Sequence, residues 1–176
     1  NKANLIFHSD SSFNSLPTKW SLLRAVELPP ERGETEFIDT RVVYDDLPDE
    51  MKTRIEGLEA EHCLWHSRSK AGLKEITDEQ RRLMPPVRHP VVRMMPDGRK
   101  ALFIGAHASH IVGWPVDEGQ ALLDELYRFA TQSKYVYSHK WRVGDLVIWD
   151  NRCTLHRAAS LDDLKYRRDL RRTTIN

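Results

Sequence analysis

Apolar residues in this chain recur mainly at alternate positions, in short runs cut by Pro, Gly and Asp, the spacing of strands with one buried face. This pattern predicts strands over residues 4–10, 21–28, 35–39, 58–63, 87–94, 100–104, 135–140, 145–149, 154–158 and 170–175. Turn chemistry separates them at Pro29-Pro30-Glu31-Arg32-Gly33, Pro96-Asp97-Gly98 and Val143-Gly144-Asp145. Helical signals are fewer. Residues 49–57 have an acidic start after Pro48 and a glycine stop, and Thr77 can cap a turn through Leu83 that ends at Pro85-Pro86. The clearest helix is residues 117–132, with Ala121, Leu122, Leu126, Phe129 and Ala130 at helical spacing. Residues 67–74, polar and containing a glycine, read as a mobile loop. Strands without βαβ alternation predict one domain over residues 1–176, mainly β with helical insertions.

Composition narrows the function. The length of 176 residues suits one hydrophobic core. The 27 Lys+Arg and 26 Asp+Glu nearly cancel, leaving a net charge of +1, without the basic excess of a nucleic-acid binder. No apolar run reaches the roughly 20 residues that cross a bilayer, so no membrane span is expected. Cys63 and Cys153 make neither a disulfide framework nor a CxxC pair, which points to a reducing, cytoplasmic setting. The sequence opens on Asn1-Lys2 and closes on Thr174-Ile175-Asn176 inside a predicted strand, so both ends look cut and it reads as part of a longer protein.

Several constellations could carry chemistry. In His8-Ser9-Asp10, positions i and i+2 of a strand share a face, so an imidazole and a carboxylate converge; a hydrogen-bonded pair at a strand end is the plainer reading. The segment from Trp149-Asp150-Asn151-Arg152 to His156 is a strand, a polar turn and a second strand, which fixes the position of His156. Together, His8, Asp10 and His156 supply the ligand set of a two-His, one-carboxylate triad, characteristic of non-haem Fe(II) oxygenases.

In the run from Arg167 to Thr174, strand alternation puts Arg168, Leu170, Arg172 and Thr174 on one face. Leu170 marks that face as interior, where guanidiniums require anions; a solvated basic edge strand is the alternative. Thr35, in Gly33-Glu34-Thr35, could offer a hydroxyl to a ligand oxygen, or simply serve as a strand threonine. His107, among the small residues of the stretch from Ile104 to His110, could line a pocket or stabilise a loop. Its HxxH spacing with His110 lacks further ligands for zinc.

In that order, HxD, Gly-x-Thr, Trp-Asp-Asn-Arg-x-x-x-His and a basic strand, the chain resembles the TauD/TfdA family of Fe(II)/alpha-ketoglutarate-dependent dioxygenases. The match runs from Phe7 to Thr174, and residues 33–39, 102–111 and 143–158 are most similar to the dichlorophenoxyacetate-dioxygenase subgroup. The resemblance implies a double-stranded β-helix (jelly roll), with His8, Asp10 and His156 on Fe(II) and O₂ as oxidant. It puts Thr35 and Arg168 on the distal carboxylate of the cosubstrate alpha-ketoglutarate. Arg172, with His107, would meet a small anionic substrate, an aryloxyalkanoate whose hydroxylation cleaves its ether. Phe7 stands where relatives often carry Trp. The twelve-residue interval from His156 to Arg168 leaves room for an insertion at 160–166, with Arg167 as the fallback for Arg168. Two other functions stay open: a sulfonate or sulfate-ester dioxygenase of the same family, and a non-catalytic β-barrel ligand-binding module. A homo-oligomer is left open too.

Overall fold

The computed structural model describes residues 2–159 and 166–176. Its elements run β1 (Trp20–Glu27), β2 (Thr35–Asp39), α1 (Thr40–Asp45), α2 (Asp49–Ile55), β3 (Glu59–His62), α3 (Leu64–Lys70), α4 (Asp78–Leu83), β4 (Val87–Pro90) and β5 (Val92–Met94). They continue with β6 (Lys100–Leu102), β7 (Ala108–Ile111), α5 (Val116–Ala130), β8 (Val136–His139), β9 (Leu146–Asp150), β10 (Thr154–Ala158) and β11 (Asp169–Ile175). The architecture is β-rich. Three-stranded sheets of order β11-β1-β9, β10-β2-β8 and β4-β3-β7 accompany the hairpin β5-β6, all antiparallel.

Register decides what two of these sheets present to each other. In the first, Leu23 opposes Arg172 and Val147, while Ser21 opposes Thr174 and Trp149. In the second, His156 opposes Phe37, and Ala158 opposes Thr35. Directly opposed residues share a face. The two faces meet where the Phe37 and Trp149 rings stand edge to face at 5.3 Å, with Trp149 4.7 Å from the His156 ring. The other face of β2 and β10 carries Ile38 and Leu155, both fully buried in the hydrophobic core.

That core is closed by α5, whose Leu122, Leu123, Leu126 and Ala130 are buried on one stripe. The helix approaches β7 closely because Gly119 has no side chain: a Cβ there would lie 2.5 Å from the Ile111 backbone nitrogen. A second glycine, Gly105 at φ +126°, lets its turn pass within contact of Phe7, His8 and Leu155.

The alternating pattern misleads at three places. Residues 4–10 are not a strand: a 3-10 turn covers Lys2–Leu5, and His8 alone pairs, as a single bridge to His156. The cause is the run Ser9-Asp10-Ser11-Ser12, whose side chains favour turns; Ser11 adopts φ +53° and its carbonyl accepts from the Asn14 N–H. Residues 64–70 form α3 rather than part of a mobile loop, with Ser67 buried and its hydroxyl donating to the Leu64 carbonyl. The small-residue stretch after Ile104 includes strand β7, paired with β3. The proposed insertion at 160–166 falls almost entirely outside the described residues.

His62, His66 and His89 pack as structural side chains. His62 is fully buried between His89 and Phe103, with both ring centroids 5.2 Å away. Burial holds His62 well below 6.5 and lowers His89; it brings His66 down to about 4. These rings stay neutral in the fold while the unfolded chain still takes up protons at 6.5, so their contribution is complete above that value and is lost as the pH falls. Denaturant midpoints measured from about pH 8 to about pH 5 should hold steady at the top of the range and fall below pH 6.5. A flat profile would contradict this account.

Candidate metal centre

The bridge between His8 and His156 consists of two backbone hydrogen bonds, His8 N–H to the His156 carbonyl at 3.0 Å and the reverse at 2.9 Å. It fixes two imidazoles side by side with ring centroids 4.4 Å apart. Asp10, turned inward by the bend that follows His8, completes the group. His8 Nε2 lies 3.9 Å from Asp10 Oδ1, and His156 Nε2 lies 3.7 Å from Oδ2. One ligand atom from each residue falls within 4.8 Å of the others, the one such cluster of three among the described residues.

The electrostatics define what the cluster can hold. His8 Nδ1 lies 2.8 Å from the Ile6 carbonyl, an acceptor only, so Nδ1 carries the proton and Nε2 presents a lone pair. That lone pair faces a carboxylate oxygen, two acceptors turned toward each other where neither reaches water freely. Burial lowers the pKa of His8 and brings His156 to about 3, so both rings are uncharged at neutral pH. Burial alone would raise Asp10, but His156, the Ser21 hydroxyl, Arg172 and His8 outweigh it and keep the carboxyl ionised. A divalent cation resolves this arrangement: two imidazole nitrogens and an anionic oxygen are donors for a borderline metal at roughly 2.0–2.2 Å each.

A support network holds Asp10 in place. Ser21 Oγ donates to Asp10 Oδ2 at 2.6 Å, and Asn151 Nδ2 donates to Ser21 Oγ at 2.8 Å. Asn151 Oδ1 in turn accepts from the Asp10 backbone N–H at 3.0 Å and from the Trp149 indole at 3.1 Å. Sequence reasoning missed Ser21 and did not assign Asn151. Nothing in the pattern marks Ser21 beyond a polar inward position in an apolar strand, whereas Asn151 lies in a motif already singled out.

The other expected residues surround the cluster. Thr35 Oγ1 accepts from Arg168 Nη2 at 3.2 Å and from the Trp141 indole at 3.0 Å, while Arg168 Nε donates to the Gly33 carbonyl at 2.9 Å. Both line a cleft that opens onto His8 and His156. The alternation of the basic run places Arg172 at the same cleft, where Nη1 donates to Asp10 Oδ1 at 2.7 Å. Arg167, the fallback, instead pairs with Glu27 at 3.1 Å on the surface. His107 is buried with its ring 6.1 Å from His8 and 4.8 Å from Phe13, beside a second cavity. It forms no cluster with His110, whose Nδ1 lies 3.0 Å from Ser109 Oγ.

With the site assembled, similarity places the chain in a class. Residues 1–174 match the family described as taurine catabolism dioxygenase TauD, TfdA family, and the chain belongs to that family. Among relatives, it is 54% identical over 175 residues to the alpha-ketoglutarate-dependent 2,4-dichlorophenoxyacetate dioxygenase of Burkholderia sp. (strain RASC), covering 99% of this chain and 59% of that protein. It is 52% identical to the enzyme of the same name from Cupriavidus pinatubonensis, covering 99% of this chain and 61% of that one. The chain therefore spans about three fifths of the length of these curated relatives. A solved structure titled AAD-2 in complex with Mn(II) and N-oxalylglycine superposes with a TM-score of 0.96 at 46% identity, covering 99% of this chain and 69% of that one.

The support network makes a specific demand. Ser21→Ala removes the 2.6 Å donor to Asp10 without touching any nitrogen or oxygen of the cluster, and should weaken Mn(II) affinity about 10-fold, the lower end for a residue behind a metal ligand. Calorimetric titration of the full-length protein measures it; an unchanged affinity would show that Asp10 needs no such support.

Proposed function

We propose that the protein carrying this chain is an Fe(II)- and alpha-ketoglutarate-dependent dioxygenase acting on a small anionic aryloxyalkanoate. The observation that carries this reading is a buried pair of imidazoles and a carboxylate whose donor atoms suit one divalent cation, with a hydroxyl–guanidinium pair on one side and a second guanidinium at the carboxylate. The names of the relatives support the cosubstrate and the substrate class. The two facing three-stranded sheets suit a double-stranded β-helix forming one domain over residues 1–176. Among the described residues no helix is long and apolar enough to cross a membrane, and a cytoplasmic location goes with the proposal.

His8, Asp10 and His156 would hold Fe(II). The metal supplies the redox chemistry that joins O₂, oxidative decarboxylation of alpha-ketoglutarate to succinate and CO₂, and insertion of the second oxygen atom into a substrate C–H bond. The rest is the work of the chain. Thr35 and Arg168 offer a hydroxyl and a planar guanidinium to the distal carboxylate of the cosubstrate, whose geometry a guanidinium matches with two parallel hydrogen bonds. The Trp141 indole, donating to Thr35 Oγ1, orients that hydroxyl. Arg172 meets the anionic end of the organic substrate, and His107 borders the cavity beside it. Hydroxylation of the carbon next to an ether oxygen yields a hemiacetal. It collapses to a phenol and, from an oxyacetate, glyoxylate. Sulfonates and sulfate esters would pair with the same guanidinium, so product analysis separates the readings.

The test is succinate formation by the full-length protein under air with Fe(II) and alpha-ketoglutarate. Succinate and a phenol should appear together with phenoxyacetates; release of sulfite or sulfate with sulfur-containing substrates alone would favour the runner-up, and no succinate with either panel would leave a binding module. Arg168→Met should raise the KM for alpha-ketoglutarate about 10- to 100-fold, the loss expected of a hydrogen bond to a charged group. An unchanged KM would remove Arg168 from the cosubstrate site.

A further inference from the structure

Two cavities lie beside the metal cluster. One reaches Thr35 and Arg168. The other is bounded by Asp10, Ser11, Ser67 and His107 together with the apolar side chains of Phe13, Leu64 and Ala106. Besides His8, the side chains that line both are Asn4, Arg172 and Arg68, so Arg68 and Arg172 are the cations at the junction.

Arg68 lies on α3, the segment the alternating pattern read as a loop. The helix is anchored at both ends: the Cys63 N–H preceding it donates to the His107 carbonyl at 2.9 Å, the neighbouring Ser67 is buried, and the Arg68 carbonyl accepts from the Leu73 N–H at 2.9 Å. Arg68 is half-buried and borders both cavities. Arg172 donates to Asp10 Oδ1. A ligand carboxylate has about four lone-pair sites, enough for two guanidiniums at once.

We propose that Arg68 is a specificity-determining residue: with Arg172 it grips the carboxylate of the organic substrate at the junction of the two cavities, leaving the aryl ring against Phe13 and Leu64. The assignment rests on the aryloxyalkanoate reading above. It explains how two anions, cosubstrate and substrate, are accommodated side by side: a pair of guanidiniums stands between them, where the like charges would otherwise repel. It also gives Phe13 and Leu64 a partner, because an arylalkanoate presents an apolar body and a single charged end.

The test is steady-state kinetics of the full-length protein with 2,4-dichlorophenoxyacetate and with its neutral primary amide, comparing the wild type with Arg68→Met and Arg68→Lys. Arg68→Met should raise the KM for the acid about tenfold or more, leave the KM for alpha-ketoglutarate within about twofold, and shrink the preference for acid over amide; Arg68→Lys should recover part of the loss. Arg68→Gln, neutral and polar, replaces the Met variant if that one folds poorly. An unchanged KM for the acid in a wild type that turns it over overturns the Arg68 assignment alone. A raised KM for alpha-ketoglutarate instead would assign Arg68 to the cosubstrate, and also overturns it. A wild type that forms no succinate with phenoxyacetates overturns the substrate reading and the assignment together.

Discussion

Two backbone hydrogen bonds between His8 and His156, residues 148 apart in the chain, are the constraint on which the site depends. A reciprocal pair of N–H to carbonyl bonds fixes the separation and orientation of the two α-carbons, and so directs both imidazoles to one point. The surroundings hold that pair in place. Gly105 admits its own turn against Phe7 and His8 where any Cβ would press on them, and the Ala106 N–H donates to the Phe7 carbonyl at 3.0 Å. Leu155 and Phe7, neighbours of the two histidines, are buried in the core. Ligand geometry is thereby tied to the packing of the whole sheet.

From that constraint follows an electrostatic imbalance. Two neutral imidazoles, with the His8 lone pair turned inward, face an ionised carboxylate in a region that water reaches poorly. Ser21 and Arg172 satisfy part of Asp10 with bonds of 2.6 and 2.7 Å. What remains suits a small divalent cation, and the proposed chemistry places the anions of cosubstrate and substrate around it. Positive charge accordingly accumulates at the rim: Arg168 beside Thr35, Arg172 at Asp10, and Arg68 between the cavities. The balanced charge of the whole chain conceals this local concentration.

The sequence made the proposed ligand set and the basic strand legible for physical reasons. Alternation along β11 put Leu170 and Arg172, with Arg168 just before it, at one cleft, because the strand period of two survives there, although Arg172 is exposed and not interior. The helix α5 was legible from its apolar stripe. The HxD segment was legible in chemistry but not in conformation: the alternation suggested a strand, while turn-forming Ser and Asp side chains gave a single bridge followed by a bend. Arg68 was hidden because α3 is short and polar, with too little periodicity to distinguish it from a loop. Ser21 and Asn151 act through contacts between distant strands, and no local pattern encodes such contacts.

Anomalous diffraction from crystals of the full-length protein soaked in Mn(II) examines the central claim directly. The account predicts one strong peak per chain in contact with His8 Nε2, His156 Nε2 and the Asp10 carboxylate. A bound ion elsewhere, with those three side chains still hydrogen-bonded only to protein, would contradict it.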